Sequence, residues 1–238
     1  MNLFEVLARF NAAHPWSHND AYAGFVLRHA RAVRRSGGDV AVDVGCGTGN
    51  LLERLTRVFP TVIGVEPDDR SGAVARARFP RADIRVDIRS FGDEPESAYD
   101  LLVFVASLHH MPLRQALSAA RSSLRPGGRL VIVGIAKETR ADALRSAVSM
   151  VLNPLIGMVR HPRRATHLPV SMEAPVAESS QTFEEIRDMA SAMLPGIRMR
   201  RRLFWRYTAS WSAPRGADGC ARIISFSGSV TPSKPNRR

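Results

Sequence analysis

A chain of 238 residues with 45% hydrophobic residues has room for one α/β unit with an added cap and is too apolar for general disorder. No run reaches the roughly 18 apolar residues of a membrane span, no secretory leader is visible in residues 1–10, and Cys46 and Cys220 lack any spacing suited to zinc or redox chemistry, so no metal and a cytoplasmic setting are expected. The net charge of +12 invites a nucleic-acid partner, but only Lys137 and Lys234 are lysines and the arginines are spread over many elements, which fits codon bias and solvated faces better than phosphate binding.

Residues 1–35 read as helical, with an aromatic break at His14-Pro15-Trp16 and a stop at residues 36–38. Residues 40–44 form a continuous small apolar run, the pattern of a buried parallel strand. A glycine turn follows, then a helix with Asn50 as N-cap and Glu53 completing a capping box, ended by Pro60. A second strand over 61–65 ends at Glu66, and a helix over 71–78 ends before Pro80. A third strand over 82–86 ends at Asp87. The fourth, 99–105, opens into Ala106-Ser107-Leu108-His109-His110. A helix over 113–124, the turn signal Pro126-Gly127-Gly128 and a fifth strand over 129–135 complete the regular part.

The rhythm then changes. Residues 138–194 hold helical stretches around a loop rich in His and Pro. Residues 147–159 read either as a lid helix that breaks at Pro154 or as a buried helix without a site role. Thr182 caps a helix over 183–193. Residues 197–207 alternate as one strand, 222–226 suit a last strand, and 229–238 form a polar, disordered tail. Alternating strands and helices predict an α/β fold with a mostly parallel, doubly wound sheet and a helical cap.

The chemistry is sought first in Asp43-Val44-Gly45-Cys46-Gly47-Thr48-Gly49, between a strand and a helix. Glycine permits the positive φ of a tight turn and close approach of a ligand, and free amides at a helix start can hold an anion. A dinucleotide fingerprint needs a third glycine where Asn50 stands; the spacing here is GxGxG, which argues against a nicotinamide oxidoreductase. Cys46 is read as a small residue in a tight place.

Residues 42–50 resemble the first motif of class I S-adenosylmethionine-dependent methyltransferases, of the small-molecule, methyltransferase type 11-like kind. Glu66, Asp87-Ile88, residues 99–103 with Leu108-His109-His110, and residues 124–130 resemble that family's later landmarks, in order, over about residues 39–136. The resemblance implies a Rossmann-like, seven-stranded sheet with helices on both faces and the last strand antiparallel. It implies S-adenosylmethionine held by Asp43, Gly45, Gly47 and Gly49 at its amino-acid end, by Glu66 at its ribose, and by Asp87 and Ile88 at its adenine. Residues 1–228 are then one domain: an N-terminal helical cap (1–36), a cofactor core (39–136), a substrate lid (138–196) and C-terminal strands (197–228).

His109 and His110 lie where the methyl group should point, so either suits a general base. Tyr22, with His14, Trp16 and His18, is placed over the cofactor, as related enzymes use an N-terminal helix. The family's base-methylating [DN]-P-P-[YF] motif, its nucleophilic cysteine and its paired-glutamate loop are absent, which leaves a small-molecule acceptor undergoing O-, N- or C-methylation. The arginines weakly favour an anionic one. The alternatives are an RNA methyltransferase, which requires a contiguous basic face, and a regulator or cyclase that binds the cofactor without methyl transfer.

Overall fold

The computed structural model describes residues 18–160 and 179–215. After a single-turn helix at His18–Tyr22, the order is α1 (Ala23–Arg35), β1 (Val40–Val44), α2 (Asn50–Leu55), β2 (Thr61–Glu66), α3 (Asp69–Arg78), β3 (Ile84–Ile88) and β4 (Tyr99–Val105). Then follow α4 (Leu113–Ser123), β5 (Leu124–Gly134), α5 (Ala143–Arg160), α6 (Phe183–Met193), β6 (Arg198–Arg201) and β7 (Tyr207–Ser212). The strands form one seven-stranded sheet in the order β3-β2-β1-β4-β5-β7-β6. β1 to β5 pair in parallel, and β7 runs antiparallel to both β5 and β6.

The apolar runs are continuous because both faces are covered. Val42, Val44, Ile63, Val65, Leu102, Phe104 and Ile132 pack on one face with α4 and α6. Ala41, Val62, Leu101, Val103, Val131 and Val133 pack on the other with α1, α2 and α3. The strand order reverses between β1 and β4, so a crevice opens there beyond the strands' carboxyl ends. The tips of β2 and β5 and the turn between β6 and β7 lie along that same edge.

Several local expectations change. Asn50 does not cap α2: Gly49 occupies the N-cap at φ +89°, and the Asn50 Oδ1 accepts instead from Arg78 Nη1 at 2.9 Å. Glu53 pairs with Arg57 and Arg78 rather than closing a capping box. α3 begins earlier than residue 71 because Asp68 caps it, accepting from the Ser71 N–H at 2.8 Å. β3 includes Asp87, which pairs with Val65. β5 begins at Leu124, ahead of the glycine turn signal. Thr182 caps α6 over the expected span, and Glu185 completes a capping box with it.

The expected strand over 197–207 is the short strand β6 and a turn that leads into β7 at Tyr207. Its alternation runs on through the turn without Gly, Pro or Asn to mark it, because Phe204 and Trp205 adopt the left-handed region themselves, at φ +57° and +56°. β7, which follows it, is the antiparallel strand; the expected strand over 222–226, the tail over 229–238, and His14 and Trp16 lie outside the described residues. α5 neither breaks at Pro154 nor is buried. Its inward positions Ser149 and Asn153 are polar, whereas Leu144, Val148, Val151, Leu155, Met158 and Val159 face outward.

Candidate active site

β1 delivers Asp43 to the switch point with only 2% of its surface exposed, and β2 delivers Glu66 beside it with 8% exposed. Burial, reinforced by the neighbouring Glu66, pushes the Asp43 carboxyl up to about 7. No described residue donates a hydrogen bond to Asp43 or pairs a cation with it. Glu66 is held from both sides: the Gly47 N–H donates to its Oε2 at 2.7 Å, and the Asp68 N–H donates to its Oε1 at 3.0 Å. Two acids set side by side in a buried crevice are costly unless a cation joins them. The donor set therefore suits a ligand that carries an ammonium or sulfonium beside hydroxyl groups.

The glycine turn contributes shape more than free amides. Gly45 and Cys46 donate to the Val65 carbonyl, Gly47 to Glu66 and Gly49 to the Cys46 carbonyl. Gly45 has φ +71°, and a Cβ there would lie 2.4 Å from the Cβ of Ser107, so only glycine fits. Ser107 was not singled out from the sequence. It is buried, and its hydroxyl donates to the Val44 carbonyl, tying the tip of β4 to the tip of β1. Cys46 is buried against Gly64; burial first, then the two acids, push its thiol upward, which makes it inert.

The remaining candidates separate by position. Asp87 already carries Arg85, whose Nη2 lies 2.9 Å away. Ile88 packs on Gly72 of α3, where an added Cβ would come within 2.7 Å of its Cγ1. His109 and His110 stand together in a short helical turn at the tip of β4, ring centroids 4.1 Å apart, with His109 half-buried and His110 exposed. Tyr22 lies further along the edge. Its hydroxyl donates to the Leu203 carbonyl at 2.7 Å, and burial pushes its pKa upward.

A second set of residues gathers where β5, α5 and the β6–β7 turn meet. Ser149 Oγ accepts the Phe204 N–H at 2.8 Å, Asn153 Oδ1 meets His18 Nε2 at 2.9 Å, and the His18 ring stacks on Phe204 at 5.7 Å between centroids. The inward polar positions of α5 thus fasten the left-handed turn. Two polar residues four apart within the otherwise apolar stretch 147–159 were the available sequence signal.

The family model described as a methyltransferase domain matches residues 42–132. Over 204 residues, 84% of this chain and 98% of the relative, the sequence is 32% identical to an uncharacterized methyltransferase of Mycobacterium tuberculosis. The chain belongs to the class I S-adenosylmethionine-dependent methyltransferases. This methyltransferase is also 30% identical over 145 residues to a ubiquinone biosynthesis O-methyltransferase of Paramagnetospirillum magneticum, covering 59% of this chain and 58% of that one. An S-adenosylmethionine dependent methyltransferase from Mesorhizobium loti superposes with a TM-score of 0.53 at 15% identity, over 82% of this chain and 99% of that one, which shows a shared fold. Among the described residues of the methyltransferase, no helix is long and apolar enough to cross a membrane.

Proposed function

We propose that this methyltransferase modifies a small-molecule acceptor, and that Asp43, the 45–49 turn and Glu66 hold the methyl donor. The observation that carries the donor site is the buried Asp43–Glu66 pair at the strand-order switch, with a Gly47 amide fixing Glu66. Asp43 faces the ammonium end, and Glu66, whose oxygens have acceptor capacity left, takes the ribose hydroxyls. Ile88 walls the adenine. Asp87 accepts from the adenine amino group once Arg85 yields, which its exposed position allows.

S-adenosylmethionine supplies a methyl group already activated on sulfur, so the protein's work is alignment and exclusion of water. His109 and His110 stand on the acceptor side and can take the proton from a hydroxyl or amine. Tyr22, its proton committed to Leu203, acts as a wall of the acceptor site. Residues 1–228 serve as one unit, core and cap together. The name of the Paramagnetospirillum relative supports a small acceptor. Against the RNA reading, Arg34, Arg54, Arg81, Arg89 and Arg125 sit on different elements, each paired with a local acid.

Calorimetry with S-adenosylmethionine and S-adenosylhomocysteine tests the donor site. Glu66→Ala is expected to weaken both by roughly 1.5–3 kcal/mol, the scale of charge-assisted hydrogen bonds. Glu66→Gln keeps the shape and should lose less. Absence of binding by the unaltered protein would overturn the assignment. Binding without release of S-adenosylhomocysteine, across a panel of small acceptors, would favour the regulator or cyclase.

A further inference from the structure

A partly open cleft lies at the carboxyl edge of the sheet, bounded by the residues after β5, the inner side of α5 and the β6–β7 turn. Its lining includes Lys137, Arg145, Arg202 and Arg206, with Trp205 and Tyr207 as aromatic walls. The sheet order puts it beside the tip of β4, on the side of His109 away from Asp43 and Glu66. On the proposed donor assignment, this is the acceptor side of the sheet edge.

The charges in this cleft are unevenly settled. Arg201 is neutralised by Asp142 and Glu184. Arg145, Arg202 and Arg206 have no carboxylate partner among the described residues. Arg202 Nε donates to Thr208 Oγ1 at 3.0 Å. Arg206 is half-buried; its Nε donates to Asn19 Oδ1 at 3.1 Å, and its Nη1 makes only long contacts with the Phe204 and Trp205 carbonyls, at 3.4 and 3.5 Å. Burial pushes its guanidinium down to about 10. A partly desolvated cation held only by neutral oxygens gains from an incoming anion, and a guanidinium takes a carboxylate or phosphate in a two-point fork.

The backbone aims this arginine at a cost. Phe204 and Trp205 are held in the left-handed region, where a large side chain is strained by about 1–3 kcal/mol. Ser149 and His18 hold the turn there. The result places Trp205 and Arg206 side by side on the cleft wall.

We propose that this cleft binds the anionic group of an aromatic or otherwise planar acceptor, with Arg206 as the principal anchor, Arg202 and Arg145 beside it, and Trp205 against the ring. Glu138 and Asp142 also line the cleft, but Arg201 pairs with Asp142, and Glu138 is outnumbered by Lys137, Arg145, Arg202 and Arg206, so the net charge is positive. The assignment rests on the methyltransferase reading for the meaning of the site, though not for its test.

The test titrates the full chain with benzoate, phenyl phosphate and the neutral benzamide by calorimetry or NMR, with S-adenosylmethionine binding measured in parallel. At least one anion should bind about tenfold or more tightly than benzamide, the scale of one charge-assisted hydrogen bond. The better of the two identifies the group as carboxylate or phosphate. Arg206→Gln should abolish the preference and leave S-adenosylmethionine binding unchanged, which a merely structural arginine would not do. If Arg206→Gln fails to fold, the exposed Arg145→Gln should still reduce the preference by about threefold, as a screened surface charge does. Equal binding of anions and benzamide, or a preference that survives both substitutions, would overturn the proposal. Failure of the unaltered protein to bind S-adenosylmethionine while the anion preference holds would strike the donor assignment and spare this one.

Discussion

The two ends of the crevice carry opposite charge by opposite means. At the β1–β2 end, Asp43 and Glu66 sit on the tips of central parallel strands, fixed by the sheet ladder and by backbone amides. At the β5–β7 end, Arg202 and Arg206 sit on a strained turn held by Ser149 of α5 and by His18, which Asn153 positions. The first end depends on the deepest part of the core, the second on a few polar contacts beneath a cap. The proposed donor site suits rigid strand tips, and the proposed acceptor site suits a turn that can be rebuilt without disturbing the sheet.

The comparison can be broken most severely at the glycine turn. Gly45→Ala drives a Cβ into Ser107 at a positive φ and should cost about 3 kcal/mol of stability together with donor binding, read by urea denaturation and calorimetry. Gly47→Ala also has a positive φ, but nothing lies within 4 Å of its added Cβ; about 1 kcal/mol is expected. Equal losses at both positions would mean that backbone conformation, and not the contact with Ser107, is what requires glycine.

A proton sharpens the contrast next. Asp43 titrates near 7 in the folded protein, above the usual carboxylate value. Its ionisation therefore opposes folding: the associated stability is complete below the ordinary carboxylate pKa and is lost as pH rises through about 7. Donor binding, which needs the ionised form, should do the reverse. Affinity for S-adenosylmethionine should fall about tenfold for each pH unit below 7, and Asp43→Asn should bind more weakly with that dependence removed. A pH-independent affinity in the unaltered protein would remove Asp43 from the ammonium site.

The smallest effect tests the other end. Ser149→Ala strips the acceptor from the Phe204 N–H and should cost about 1 kcal/mol by thermal or urea unfolding. It should weaken anion binding and leave donor binding untouched. A loss of donor binding on Ser149→Ala would show that the two ends are not independent.

The donor end was largely readable from the residues. The strand β1, the turn and Glu66 are contiguous features with local causes: an apolar run, glycines where φ must be positive, and an acid at a strand tip. Even there, the sequence misplaced the cap of α2, because Asn50 is drawn away by Arg78 from another element. It also suggested free amides where the turn spends its N–H groups on Val65, Cys46 and Glu66. Ser107 gave no signal, since its value lies in reaching Val44 across the sheet.

The acceptor end was not readable. Phe204-Trp205 resembles a strand interior, and contacts from Ser149, His18 and Tyr22, elements distant in sequence, help to hold it as a turn. α5 resembles a helix that should break at Pro154, yet it continues, with Ser149 and Asn153 anchored on the inner side. By itself, then, the sequence determined the parallel sheet, the order of its early strands and the acids at the donor end, because periodicity, glycine conformation and strand-tip position act over a few residues. Only the tertiary structure decided which charges are left unpaired and where they point, because pairing depends on partners more than 100 residues apart, such as His18 and Asn153 or Arg206 and Asn19.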